Sequence, residues 1–159
     1  MGKIYLETII DAPIERVFDL SRSIDLHKIS TKHTNEEAVA GRTTGLINLN
    51  ESVTWKAKHF GIYQHLTTLI TEFDRPKLFA DKMTKGAFKY MYHVHKFEQL
   101  DKGTKMIDIF EFTAPFGLFG RITDALFLKS YMTKLLKVRN SEIKSSAEGQ
   151  NWRNFVEAT

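Results

Sequence analysis

The stretch Phe88–Ala114, FKYMYHVHKFEQLDKGTKMIDIFEFTA, consists of two alternating runs separated by Asp101-Lys102-Gly103. A period of two is what a β-strand with unlike faces requires, and a short break containing glycine supplies the positive φ of a hairpin turn. The two runs are therefore antiparallel neighbours, because parallel strands need a much longer crossover. In the first run His93, His95 and Phe97 share a side. In the second, Met106, Asp108, Phe110 and Phe112 form the matching set. Each set mixes large apolar residues with one or two polar ones, which is the composition of a cavity wall.

The alternation continues upstream. ESVTWKAKHF ends at Gly61, YQHLTTLITEF at Asp74-Arg75-Pro76, and LFADKMTKG at Gly86, each boundary a turn signal. The corresponding inward sets are Val53, Trp55, Ala57 and His59, then Phe79, Asp81 and Met83. Nearer the N-terminus, KIYLETIID at residues 3–11 reads as a first strand with Ile4, Leu6 and Thr8 on one side. The period then changes. Pro13 suits a first helical position, and Ile14, Val17, Phe18 and Leu20 make a short apolar stripe, followed by a second short helix in SIDLHKIS. Residues 30–49 are polar, with one short strand expected around Glu37–Val39.

Downstream, PFGLFG is a loop whose Phe116, Leu118 and Phe119 are unusually apolar for a connection; they pack under a helix or form a gate. Residues 121–147 read as one long helix. Ile122, Ala125, Leu126, Tyr131, Met132, Leu135, Leu136, Arg139 and Ile143 recur at steps of three and four, and Gly149 is the stop. A single domain over residues 1–149 and a tail over 150–159, in which Trp152 and Phe155 dock locally, account for the whole chain.

With 159 residues and 42% apolar content the chain can bury a normal core. It has no cysteine, which excludes disulfides and thiolate metal sites. No apolar run approaches the ~20 residues of a membrane span, and the N-terminus does not read as a secretory signal. A cytoplasmic protein without integral membrane segments is expected. The net charge of +4 is dispersed. Its densest set, Lys129, Lys134, Lys137, Arg139 and Lys144, reads as a solvated helix face, so no nucleic-acid partner is expected.

One strand, two short helices, an antiparallel meander and a long final helix make an α+β protein that resembles the helix-grip fold. In that fold a curved sheet of about six or seven strands wraps the terminal helix around a deep cavity. APIERVFDL, ESVTWKAKHFG, FADKMTKGAF, HVHKF and TKMIDIFEFTAPFGLFG are similar to segments of the SRPBCC superfamily, in its bacterial stand-alone branch. That superfamily includes START, pollen-allergen-like and polyketide cyclase/dehydrase-like proteins. The resemblance implies a cavity for a hydrophobic small molecule, or cyclisation or dehydration of a polyketide-like substrate. One scaffold hosts both, so it does not choose between them.

On this reading the ligand-binding set is Trp55, His59, Asp81, Met83, His93, His95, Phe97, Asp108, Phe110 and Phe112, with Met132 and Leu136 as a lid. Buried imidazoles need partners, since an unpaired buried polar group costs ~1–3 kcal/mol. Asp81 and Asp108 are the candidates. The resulting His–Asp pairs brace the sheet, orient a ligand, or serve as acid–base catalysts, with His93, His95, Asp108 and Asp81 the catalytic candidates. A His-x-His strand can also present two nitrogens to a metal, with His59, Asp81 or Asp108 as a third ligand. The cupin pattern that uses such a pair has different glycine and glutamate spacings. No cofactor and no metal are therefore expected. The ligand's identity and the oligomeric state stay open.

Overall fold

The computed structural model describes residues 1–114 and 123–156. Seven strands, β1 (Gly2–Ile10), β2 (Glu37–Gly41), β3 (Ser52–His59), β4 (Ile62–Asp74), β5 (Leu78–Lys85), β6 (Tyr90–Gln99) and β7 (Thr104–Thr113), form one antiparallel sheet. Their order is β1-β7-β6-β5-β4-β3-β2, so the first strand pairs with the last. Helices α1 (Ile14–Ser21) and α2 (Ile24–Ser30) follow β1, and α3 (Thr123–Glu148) follows β7. This is the helix-grip fold, a curved sheet holding a long C-terminal helix.

Local chemistry sets the boundaries. Pro13 is extended at ψ 145° and caps α1 from outside, one position earlier than the expected first helical residue. Its missing N–H is harmless in either place. Ser23 accepts from the Leu26 N–H and opens α2. Gly103 lies at φ +82° in the β6–β7 turn, where a Cβ would come within 2.2 Å of the Ile10 carbonyl oxygen. Only glycine fits there.

α1 and the sheet bury a core centred on Phe18, whose ring meets Phe73, Phe79 and Phe97 edge-on at 5.2–5.4 Å between centroids. A second cluster of Ile4, Met91, Phe110, Phe112 and Leu136 joins α3 to β1, β6 and β7. Between these clusters the sheet and α3 stand apart. Beyond α3 a short helix α4 (Arg153–Val156) packs on α1, with Trp152 under the Arg16 guanidinium at 4.1 Å. The helical spacing assigns Leu126 to the inward stripe of α3, but it is exposed; Leu128, four residues before Met132, packs on the second cluster instead. Phe116, Leu118, Phe119 and Ile122 lie outside the described residues.

Candidate functional site

Strand register brings the polar inward residues together. Asp81 on β5 stands opposite His93 on β6, and His95 stands opposite Asp108 on β7. The hydrogen bonds run along the diagonals of this square. His93 Nε2 donates to Asp108 Oδ1 at 2.8 Å, and His95 Nε2 donates to Asp81 Oδ2 at 3.0 Å. The two imidazoles overlap with centroids 3.8 Å apart, and His95 stacks on Phe79 at 4.2 Å.

α3 supplies the rest of the cluster. Arg139 is buried and donates to the Ser21 carbonyl at 3.0 Å, to Asn140 Oδ1 at 3.1 Å and to Asp108 Oδ1 at 3.4 Å. Asn140 Nδ2 donates to Asp108 Oδ2 at 2.6 Å. The placement of Arg139 corrects its reading as part of a solvated cationic face. It lies three residues after Leu136 and four before Ile143, in the apolar stripe, and that spacing turns it inward where Lys134 and Lys137 stay exposed.

The electrostatics follow from this packing. Burial pushes the Asp108 carboxyl up, but the hydrogen bond from His93, the close approach of His95 and the Arg139 charge outweigh it and hold the group well below the usual carboxylate range. Asp81 is lowered in the same way, with burial opposed chiefly by the His95 hydrogen bond. His93 is pushed down to about 4, by burial first and then by His95, against the pull of Asp108. It is neutral at pH 7, with its proton on Nε2. His93 borders the cavity, and among the described residues its Nδ1 has no hydrogen-bond partner.

That cavity has a volume of about 470 Å³ and lies between the sheet and α3. Trp55, His59, Asp81, His93, His95 and Phe110 border it from the sheet, and Met132 and Leu136 from α3. Four expected residues are placed elsewhere. Phe97 is turned into the Phe18 core, Phe112 packs over Gly2 and Phe88, Met83 packs on the second cluster, and Asp108 sits behind the two histidines, fully buried. The β3 row lines the cavity along its length, whereas on β6 the row leaves it at Phe97, which meets Phe18 of α1.

A second polar group lies on the far flank. His59 Nδ1 and the Tyr131 hydroxyl share a hydrogen bond of 2.7 Å, and burial lowers His59 while raising Tyr131. Nearby, His27 Nε2 is 3.2 Å from Glu36 Oε1 and its ring lies 4.2 Å from Trp55. Sequence reasoning missed His27, Glu36 and Tyr131 as site residues. The helical stripe contains Tyr131, but nothing in the pattern of α2 marks His27. The β3–β4 turn places Phe60 at φ +53°, uncommon for a bulky residue, with its ring 4.7 Å from Tyr131 at the edge of the opening.

A family model described as polyketide cyclase / dehydrase and lipid transport matches residues 1–148. The chain belongs to this family. The SRPBCC resemblance of the sequence agrees with it, and the superfamily appears again among solved structures. The Zhui aromatase/cyclase from Streptomyces sp. R1128 is similar with a TM-score of 0.73 and 12% identity, over 92% of this chain and 93% of that one. TTHA0849 from Thermus thermophilus gives a TM-score of 0.71 and 18% identity over 92% of this chain and 99% of that one. A START superfamily protein from Mycobacterium smegmatis gives a TM-score of 0.69 and 8% identity over 92% and 97%. At these identities the likeness is one of fold. No curated protein sequence matches the chain. Among the described residues no helix is long and apolar enough to cross a membrane.

Proposed function

We propose that the protein binds a hydrophobic small molecule, lipid-like or aromatic and polyketide-like, in the cavity between the sheet and α3. One observation carries this reading: a largely apolar chamber of about 470 Å³ whose wall includes the Asp81–His93–His95 cluster and the His59–Tyr131 pair. Sites for small organic ligands have this size and this sparse placement of polar groups. Trp55, Phe110, Met132 and Leu136 contact the apolar body of the ligand. Asp81, His93 and His95 receive an oxygen function at one end, and His59 with Tyr131 receives another. The strands bearing these two groups, β6 and β3, are three strand spacings apart, about 14 Å along the sheet. An elongated ligand with hydrogen-bonding groups at both ends fits that separation better than a simple acyl chain.

A cyclase- or dehydrase-like reaction is the second reading, and the unpartnered Nδ1 of His93 favours it. Asp108 would orient the ring and His93 would accept a proton. A pKa of about 4 weighs against this as the main activity, because a general base works best near the operating pH. At pH 7 His93 is an acceptor of hydrogen bonds more than a carrier of protons. Binding therefore ranks first.

The experiment is native mass spectrometry of protein purified from its own host, followed by identification of the released molecule. A stoichiometric hydrophobic adduct supports the proposal. Protein that carries none, and that takes up no member of a panel of fatty acids and polycyclic phenols, overturns it. A substrate consumed by the wild type but not by His93→Ala would move the conclusion to the enzyme.

A further inference from the structure

Asp81, His93 and His95 do more than line a wall. One donor atom from each lies within 4.8 Å of the other two, the one such group of carboxylate and imidazole donors among the described residues. First-row divalent ions hold imidazole nitrogen and carboxylate oxygen at about 2.0–2.2 Å, so neighbouring ligands stand about 3.0–3.5 Å apart. His95 Nε2 and Asp81 Oδ2 already stand 3.0 Å apart. His93 offers a ring nitrogen within 4.8 Å of both. Two imidazoles and one carboxylate on one side of an ion, with the remaining positions open, suit such ions and not Mg²⁺ or Ca²⁺, which prefer oxygen throughout.

The residues behind the three donors strengthen the case. A metal-bound histidine hands its other ring N–H to a carboxylate or carbonyl, which fixes the tautomer. Asp108 is placed to do this for both rings. Its Oδ1 lies 2.8 Å from His93 Nε2 and 3.3 Å from His95 Nδ1. With both protons held by Asp108, the lone pairs of His93 Nδ1 and His95 Nε2 are free for an ion. Asn140 and Arg139 hold Asp108 in turn. Without metal, the His95 Nε2 proton sits between His95 and Asp81, where the ion would lie, and His95 Nδ1 accepts from Arg139 Nη2 at 3.4 Å.

We infer that Asp81, His93 and His95 form a site for a first-row divalent cation of the Zn²⁺ or Fe²⁺ type, held from behind by Asp108 and open toward the cavity. The sequence expectation of no metal rests on cupin spacing, which has no bearing on this sheet. The site does not depend on the small-molecule reading, although a ligand oxygen such as a phenolate or enolate would fit its open positions.

The test is titration of metal-free protein with Co²⁺ alone, with no organic ligand present, followed by visible absorption and competition with Zn²⁺. The expected result is saturation at one equivalent, displacement by Zn²⁺ and a rise in melting temperature with either ion. Asp81→Asn and His93→Gln, each checked for native circular dichroism, should weaken binding at least ~100-fold. Asp108→Asn should weaken it about 10- to 100-fold, the range typical of an orienting partner. His33→Gln, at an exposed histidine, should change nothing. Wild-type protein that shows no saturable one-equivalent binding overturns the inference, as does undiminished binding in whichever of Asp81→Asn and His93→Gln is folded. Cobalt binding by protein that retains no organic molecule would separate failure of the ligand proposal from failure of this one.

Discussion

His93 reaches past the residue it faces. Its partner across the β6–β7 ladder is Phe110, yet its Nε2 bonds diagonally to Asp108, which stands opposite His95. One fully buried carboxylate thereby serves two imidazoles, a guanidinium and an amide. Asp108→Asn removes the charge that Arg139 needs in the interior and should cost ~3–5 kcal/mol in urea unfolding. The double variant Asp108→Asn/Arg139→Met should lose less than the sum of the single changes, with a coupling of ~1–3 kcal/mol. Strict additivity would show that the two groups do not sense each other.

Trp55 offers a separable test of the cavity. It borders the chamber and packs against the His27 ring. Trp55→Ala removes a large contact area and should weaken retention of a bound hydrophobic molecule about 10- to 100-fold. Dissociation measured by competition with a fluorescent probe would show this. Unchanged retention would take Trp55 out of the site.

Phe60 holds an unfavourable backbone conformation at the edge of the opening. Asparagine tolerates positive φ better than phenylalanine does, so Phe60→Asn should relieve the turn and leave the melting temperature equal to or above that of wild type. Losing the ring contacts with Tyr131 and Phe127 should at the same time quicken ligand release. A clear fall in melting temperature would mean that those contacts outweigh the backbone strain.

Acid stability should depend on Asp19 of α1, outside the histidine cluster. Asp19 is buried and bonds Arg22 at 2.8 Å and Arg75 at 2.7 Å. Burial raises its carboxyl, but hydrogen bonds from Arg75 and Arg22 overcome that and lower it below 3.8. A folded-state value below the unfolded one means that the stabilisation is complete above the unfolded value and is lost as pH falls through the folded one. Asp19→Asn should therefore cost ~2–4 kcal/mol at pH 7 and lose less stability than wild type on acidification below about 4. Parallel acid limbs for the two proteins would contradict this assignment.

Much of this arrangement was legible in the sequence because strand alternation and one-sided burial are the same physical fact seen twice. Val53, Trp55, Ala57 and His59 share a face in the chain and share the cavity in the fold. The proximity of His93, His95, Asp81 and Asp108 followed from the same count. The limit of the cavity along each row did not. Alternation says which way Phe97 and Phe112 point, but the sheet's curvature and the position of α1 decide what they meet. Arg139 was ambiguous for a different reason: its spacing put it in the apolar stripe, while its charge grouped it with the solvated lysines. Cations on a helix usually face water, and only the depth of the neighbouring carboxylate makes an inward guanidinium favourable. His27 and Glu36 lie on α2 and just before β2, where no regular period relates them to the site.

The pairing of Gly2 with Phe112 governs how the chain reaches its native state. β1 is synthesised before the other strands and must wait for β7, so the sheet's last seam cannot close until most of the polypeptide has been made. Contacts this distant in sequence are entropically slow to form. Asp108 lies on that seam, and its partners Arg139 and Asn140 are synthesised later still. The histidine cluster should thus assemble late, and a chain truncated before α3 would hold all seven strands but leave the Asp108 carboxylate without Arg139 and Asn140.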